Sequence, residues 1–507
     1  MAGQGTRDAA FYTENLGGTR VWRWFGALLI VAVLLAGLRL IALRFNATDL
    51  FFDEAQYWFW STDLAFGYYS KPPLIGWIIS LATSFCGSDA QCIRAPSPIL
   101  HSLTALGIFL AANALYGPRA GLLAGFVYLT LPAVSLSSGI ISTDVPLLTF
   151  WSLALFAFVM LIRQPTAWWP PVLLGLALGL GLNAKYAMAY FVLCAVLYAI
   201  AVPQQRWSVL SARFGLALAI GVVMIAPNLL WNLENSFATF SHTADNAKWS
   251  GALGNPAKAL EFFGAQFGVF GPILFAGLLI ICWRAWRDGL RDADALLLSF
   301  AVPVILIVTV QAFVSRAHAN WAAVSYVAAT ILVTATMIRD LDWGWFRASL
   351  GLHVALFLGL GLATTYAGSF QLPNGVDPFA RTLGWADTAA VVRTATKREE
   401  DGGQPVGAIM ADGRALSAEL LYYLRDGNTP IVTWRGNRPP KDHFQLVLPY
   451  AESRAEPVLF VTLGANVPPA IAERFGTVTA LGRHTVRAGA TKRRDVSLFR
   501  LSGFKPL

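Results

Sequence analysis

Residues 24–60 read WFGALLIVAVLLAGLRLIALRFNATDLFFDEAQYWFW, and this stretch decides the fold. Its first twenty residues are apolar apart from Arg39. That is the length a helix needs to cross the hydrocarbon core of a bilayer, about 20 residues. Arg20 and Arg23 precede the run and many similar runs follow it, so it reads as a retained anchor and not as a cleaved signal. Directly after it the character changes to the adjacent acids Asp53 and Glu54, then to Tyr57, Trp58, Phe59 and Trp60. An anchor therefore delivers a chemically dense loop to one membrane surface.

The whole chain follows this pattern. Its 507 residues are 56% hydrophobic and 13% charged, with a mean hydropathy of +0.54, whereas soluble domains carry about 25% charge. A soluble globular protein is excluded. Ten further apolar runs, at residues 93–115, 121–137, 145–162, 171–182, 186–202, 214–230, 262–282, 293–313, 321–338 and 346–366, bring the total to eleven. Residues 72–86 are shorter and open with Pro-Pro, which reads as a helix lying at or dipping into the interface. With the amino terminus inside, Arg7, Arg20, Arg23, Arg119, Arg163, Arg206, Arg213, Arg284, Arg287, Arg291, Arg339 and Arg347 all fall on the inner side. That satisfies the positive-inside rule, so the net charge of +9 reflects membrane orientation and implies no nucleic acid. Arg39, Arg44, Lys71, Arg94, Lys185, Lys248, Lys258 and Arg316 are left over, and topology does not account for them.

Residues 368–507 hold 18 Lys/Arg and 13 Asp/Glu, almost as many as the 20 and 16 of residues 1–367. The first part reads as a membrane domain and the second as a water-soluble domain on the outer side. In the latter, short apolar strands at 406–410, 431–433, 444–447, 458–461 and 496–501 alternate with amphipathic stretches at 385–396 and 415–424, the pattern of a small α/β domain. The expected fold is thus a polytopic α-helical membrane protein of about 11 to 13 transmembrane helices with a C-terminal soluble α/β domain. Cys194 and Cys282 lie in apolar runs and read as core residues. Cys86 and Cys92 flank a Gly-Ser-Asp turn on the outer side, where an oxidising compartment permits a disulfide, although spacing alone does not establish its geometry.

The first outer loop has two readings. Its aromatic residues, with Tyr68 and Tyr69, suit an interfacial belt flanked by solvated acids. A paired acid and Lys71 beside Pro-Pro suit a functional site, because charges held at membrane depth are usually functional. The strings Phe52-Asp-Glu-Ala-Gln-Tyr-Trp, Gly67-Tyr-Tyr-Ser-Lys-Pro-Pro-Leu and Ser142-Thr-Asp-Val-Pro-Leu then resemble the GT-C membrane glycosyltransferases. Within them the resemblance is to the family 39/83 group, which includes protein O-mannosyltransferases and lipid A aminoarabinose transferases. It covers the membrane part well and the tail weakly. It implies a sugar carried on a polyprenyl phosphate and passed to an acceptor hydroxyl, of a glycan, lipid or protein, on the outer face of a bacterial inner membrane. The chain departs from the aminoarabinose pattern with Gln56 in place of an Arg and Ser70 in place of an acid.

An acceptor hydroxyl loses its proton as it attacks the anomeric carbon, and Asp53 is the expected general base, with Glu54 as a supporting acid. By the resemblance, Asp144 holds the acceptor or organises the first loop; as Asp in Ser-Thr-Asp-x-Pro it also fits a helix cap. Charge developing on the departing phosphate needs cations placed in advance. Lys71 and Lys185 match the family's lysines, Arg316 in Ser315-Arg-Ala-His-Ala-Asn-Trp321 is a further candidate, and each also reads as a helix-end charge. His242 and His318 have no zinc-site spacing, so a divalent metal is compatible with the chain without being demanded by it. There is no Gly-rich phosphate loop and no inner domain for a nucleotide sugar, so a lipid-carried donor and a single inverting displacement are the simplest expectation. The alternative, a polytopic transporter or lipid flippase, calls for paired repeats and polar groups at the bilayer midplane. Neither is visible here. The orientation predicts that a reporter enzyme active only in the periplasm, fused after residue 507, is active; activity of a cytosol-only reporter at the same position overturns it.

Overall fold

The computed structural model describes residues 19–247, 254–450 and 456–506, and Arg7 and Lys248 lie outside them. The described chain forms two compact units. The first takes in residues up to Arg44, Lys71–Ile75 and Arg94–Leu360, and the second Phe45–Ser70, Gly76–Ile93 and the chain from Gly361 onward.

Six helices among the described residues are long and apolar enough to cross a membrane: Thr19–Leu43, Ala90–Tyr116, Asp144–Arg163, Ala212–Glu234, Asp292–Val314 and Trp343–Thr365. Two runs expected as single spans are broken. Residues 262–282 fall on two helices, Pro256–Phe270 and Pro272–Asp288, that meet at 115°. Gly271 stands between them at φ 92°, a conformation that ends a helix, and Pro272 starts the next one without needing the N–H that proline lacks. Residues 121–137 fall on Pro118–Thr130 and Pro132–Ser137, interrupted at Leu131 for the same proline reason. Leu74–Cys86, Trp169–Ala184, Tyr186–Ala201 and Ser325–Arg339 are shorter apolar helices.

In the first unit, the helices approach one another closely where side chains are absent. A Cβ on Gly175 would lie 2.7 Å from the Ala217 carbonyl oxygen and 2.7 Å from Ile220 Cβ, and one on Gly179 2.6 Å from Met224 Cβ. The helices Trp169–Ala184 and Ala212–Glu234 thus meet backbone to backbone, the small-residue packing by which helices associate without a hydrophobic driving force. Arg39, an outer helix-end charge by sequence, is buried instead, and its Nη2 donates to the Leu129 carbonyl at 2.5 Å.

In the second unit, five strands, β1 (Ala408–Ala411), β2 (Ile431–Thr433), β3 (Val458–Thr462), β4 (Phe475–Arg487) and β5 (Arg493–Phe504), form a sheet ordered β2-β1-β3-β5-β4. β2, β1 and β3 run parallel, while β5 is antiparallel to β3 and to β4. Alternation along the strands separates two cores. Ile409, Ala411, Leu459, Val461 and Leu498 pack with Trp385, Val392, Leu416 and Leu420 on one face, and Met410, Val432, Phe460 and Leu501 with Ile471 and Phe475 on the other. Two sequence expectations fail here. Residues 444–447 are helical, within His443–Val447, because Asp442 accepts from the Gln445 amide at 2.9 Å and caps the start. β4 was not foreseen, because as an edge strand it is exposed along most of its length and shows no apolar alternation. Cys86 and Cys92 form a disulfide, and Cys194 is a buried free thiol.

Gly175→Leu is expected to destabilise the protein by about 1–3 kcal/mol through overpacking, read as a lower melting temperature in detergent. Gly215, on the same partner helix, has nothing within 4 Å of a built Cβ, so Gly215→Leu is expected to melt like the parent. Equal melting of the two variants overturns the close approach.

Candidate active site

Most of the predicted site residues fall into two groups, one in each unit. In the second unit the loop after the first anchor turns into the helix Phe52–Thr62. Glu54, in its first turn and buried, accepts from the Phe51 amide at 2.9 Å and closes the helix start. Asp53, on the same turn, is held by Arg414, whose Nη2 donates to its Oδ1. Arg414 Nε donates to Gln56 Oε1 at 2.6 Å, and Gln56 Nε2 donates to Ser70 Oγ at 3.3 Å. Gln56 and Ser70, the two departures from the aminoarabinose pattern, therefore belong to one network with the expected base. The Arg414 guanidinium also lies 5.1 Å from the Phe52 ring centroid, and that of Arg381 lies 4.9 Å from Phe51 and 5.6 Å from Phe52. Arg414 begins the helix Arg414–Tyr423 after Gly413, which takes φ 88°.

Asp49 anchors this loop. It accepts from the Trp385 amide at 2.7 Å at the start of the helix Trp385–Asp401, from the Ala386 amide at 3.4 Å, and from the Tyr423 hydroxyl at 3.2 Å. Burial pushes its carboxyl above the ordinary range, and those three donors act against the shift. The aromatic residues are not an interfacial belt: Tyr57, Trp58, Trp60, Tyr68 and Tyr69 are all buried in protein. Trp60 stacks on Tyr68 at 4.6 Å, and the Tyr68 hydroxyl donates to the Trp60 carbonyl at 2.8 Å, which fixes the turn between them. Burial raises the Tyr68 phenol to about 12 and lowers His443, packed edge-on against both rings, to about 3, so both are neutral.

In the first unit, Asp144 opens the helix Asp144–Arg163, and the cap position falls to Thr143. The carboxylate of Asp144 is instead shared between two partners: Lys185 Nζ donates to Oδ1 at 2.6 Å and Asn320 Nδ2 to Oδ2 at 2.7 Å. The Lys185 and Asp144 side chains are 18% and 12% exposed, so the pair is largely shielded from solvent. Lys185 stands where the helix Trp169–Ala184 ends and the chain becomes extended. Lys71 is half-buried in the same unit. Arg316 has a buried Nε with no hydrogen-bond acceptor among the described residues. No group of three or more His, Cys, Asp or Glu suited to a metal occurs among the described residues.

Sequence reasoning missed Arg414, Asp49 and Asn320. Asn320 lies in the very stretch that carries Arg316, and its amide there was the available signal. Nothing marks Arg414 in the sequence, since it meets its partners across 361 and 358 residues. The Asp144–Lys185 pair predicts non-additivity. Asp144→Asn and Lys185→Met each lower the melting temperature, and the double variant melts less far below the parent than the two losses added, by the equivalent of about 0.5–3 kcal/mol. Strict additivity overturns the pair.

A sequence family described as dolichyl-phosphate-mannose-protein mannosyltransferase matches residues 70–231. The chain is 38% identical to the lipid A galacturonosyltransferase RgtD of Rhizobium johnstonii over 429 residues, 84% of this chain and 89% of that one. It is 29% identical to the lipopolysaccharide core galacturonosyltransferase RgtA of the same organism over 48% of this chain and 49% of that one. Among solved structures, ArnT from Cupriavidus metallidurans bound to undecaprenyl phosphate shares the fold, with a TM-score of 0.63, 16% identity and coverage of 94% and 98%.

Proposed function

Because the chain belongs to the GT-C membrane glycosyltransferases, we propose that it transfers a galacturonosyl residue from a polyprenyl phosphate to a hydroxyl of lipid A. The proposed setting is the periplasmic face of a bacterial inner membrane, with inversion at the anomeric carbon. The observation that carries this reading is the likeness to a lipid A galacturonosyltransferase over 84% of the chain. The Cys86–Cys92 disulfide supports an oxidising outer compartment. The proposed eleven crossings follow if the bent pair counts once and the shorter helices Trp169–Ala184, Tyr186–Ala201 and Ser325–Arg339, together with the interrupted Pro118–Thr130 and Pro132–Ser137, also cross. Leu74–Cys86 then stays interfacial, residues 1–367 form the membrane domain, and residues 368–507 form a periplasmic α/β domain.

In the proposed reaction the acceptor oxygen attacks the anomeric carbon while the bond from that carbon to the phosphate oxygen breaks. The hydroxyl proton passes to the Asp53 carboxylate, and the electron pair leaves with the polyprenyl phosphate. Glu54, committed to the Phe51 amide, supports the turn that carries Asp53. Lys71, Lys185 and Arg316 supply positive charge to the leaving phosphate, an interaction that strengthens as the bond breaks. Asp144 orients Lys185 through their 2.6 Å contact and holds the acceptor.

The test uses purified protein, a polyprenyl phosphate galacturonate and lipid A, with the product read by mass. The parent is expected to add one uronic acid. Asp53→Asn is expected to stay folded and lose roughly 10²-fold or more in rate. Asp53→Asn turning over like the parent, with Glu54→Gln inactive, reverses the two acids.

A further inference from the structure

A uronic acid differs from a neutral hexose by a carboxylate, and taking that carboxylate out of water is costly unless a cation meets it. The loop that carries Asp53 has none to offer: residues 45–70 contain Asp49, Asp53, Glu54 and Asp63 and no Lys or Arg. By itself it repels a uronate. The positive charge in this part of the second unit comes from the tail, from Arg414 and Arg381, and both guanidinium groups lie against the Phe52 ring. Asp53 already offsets part of the Arg414 charge through Nη2, and Asp442 acts on it electrostatically, while Arg381 adds a second cation beside the same ring. Arg414 spends Nε on Gln56 and Nη2 on Asp53, which leaves Nη1 without a hydrogen bond among the described residues. A planar guanidinium presents its donors in a fork that matches a carboxylate, which an ammonium does not.

We propose that Arg414, assisted by Arg381, is the specificity-determining group for the sugar and binds the carboxylate of a uronic-acid donor. The proposal rests on the galacturonosyl reading above. It gives Gln56 and Ser70 a purpose. Both are neutral, so they add no charge of their own beside the carboxylate, and Gln56 aims the guanidinium. It also makes the tail a part of the selecting site and not an appendage.

The experiment compares kcat/KM for two synthetic short-chain donors, a polyprenyl phosphate galacturonate and the polyprenyl phosphate galactose that lacks the carboxylate. Parent, Arg414→Met, Arg414→Lys and Arg381→Met are assayed with folded protein quantified in parallel. In the parent the uronate is preferred. In Arg414→Met that preference falls by about 10- to 100-fold, the range for one charge-assisted hydrogen-bonded contact, with the loss mainly in KM. Arg414→Lys keeps part of it. Arg381 has no hydrogen bond to Asp53 or Gln56, so a reduced preference in Arg381→Met does not arise through the base. Equal losses for both donors in Arg414→Met reduce Arg414 to a clamp on Asp53 and overturn the proposal while the galacturonosyl reading stands. A parent that transfers no galacturonate overturns that reading and the proposal with it.

Discussion

Acids removed from water must find donors, and the second unit is organised by that requirement. Asp49, Asp53 and Glu54 lie within one six-residue stretch after the first anchor, and no basic residue of the same loop is available to them. Glu54 is satisfied locally by the Phe51 amide, whereas Asp49 and Asp53 reach the amides of Trp385 and Ala386, the Tyr423 hydroxyl and the Arg414 guanidinium. Breaking a buried partnership leaves an uncompensated charge, which costs more than the intact pair contributes, whereas the Asp53–Arg414 pair, with side chains 35% and 31% exposed, is partly screened by solvent. The loop and the tail helices belong to one compact unit despite more than 300 residues of intervening chain.

The aromatic residues give that arrangement its rigidity. A belt of Trp and Tyr at the headgroup level would leave each ring free to rotate, but here Trp60 and Tyr68 stack, Trp58 meets Tyr422 edge-on at 5.1 Å, and Phe59 packs on Phe444. The Tyr69 hydroxyl donates to the Pro440 carbonyl at 2.9 Å. A short helix braced by stacked rings is a more rigid mount for the Asp53 carboxylate than a solvated loop would be.

The first unit solves a related problem with fewer charges. Its helices are apolar and packed through glycines, so a polar side chain inside it needs a defined partner. Arg39 finds the Leu129 carbonyl next to a proline break, and Asp144 finds Lys185 and Asn320 where helices end or turn to 3₁₀. Chain ends and breaks are where unpaired backbone groups and side-chain reach coincide, so the polar chemistry of the unit gathers at them.

The sequence by itself determined the membrane character, most of the helix positions, the more charged composition of the tail and the acids and lysines worth examining. Those follow from local composition and hydropathy, which the chain states residue by residue. It also brought Asp53, Asp144 and Lys71 to notice, because their neighbours form recognisable strings. It did not reveal the break at Gly271–Pro272, since hydropathy averages over a run and is blind to one backbone torsion. It misread residues 444–447 as a strand and overlooked β4, because a short apolar run suits either state and an edge strand needs no apolar face. Only the tertiary structure decided that the aromatic residues are core, that Lys185 belongs to Asp144, and that Arg414 belongs to Asp53. Each of these is a pairing between residues far apart in the chain, and side-chain pairing energy depends on distances in space that sequence separation does not encode.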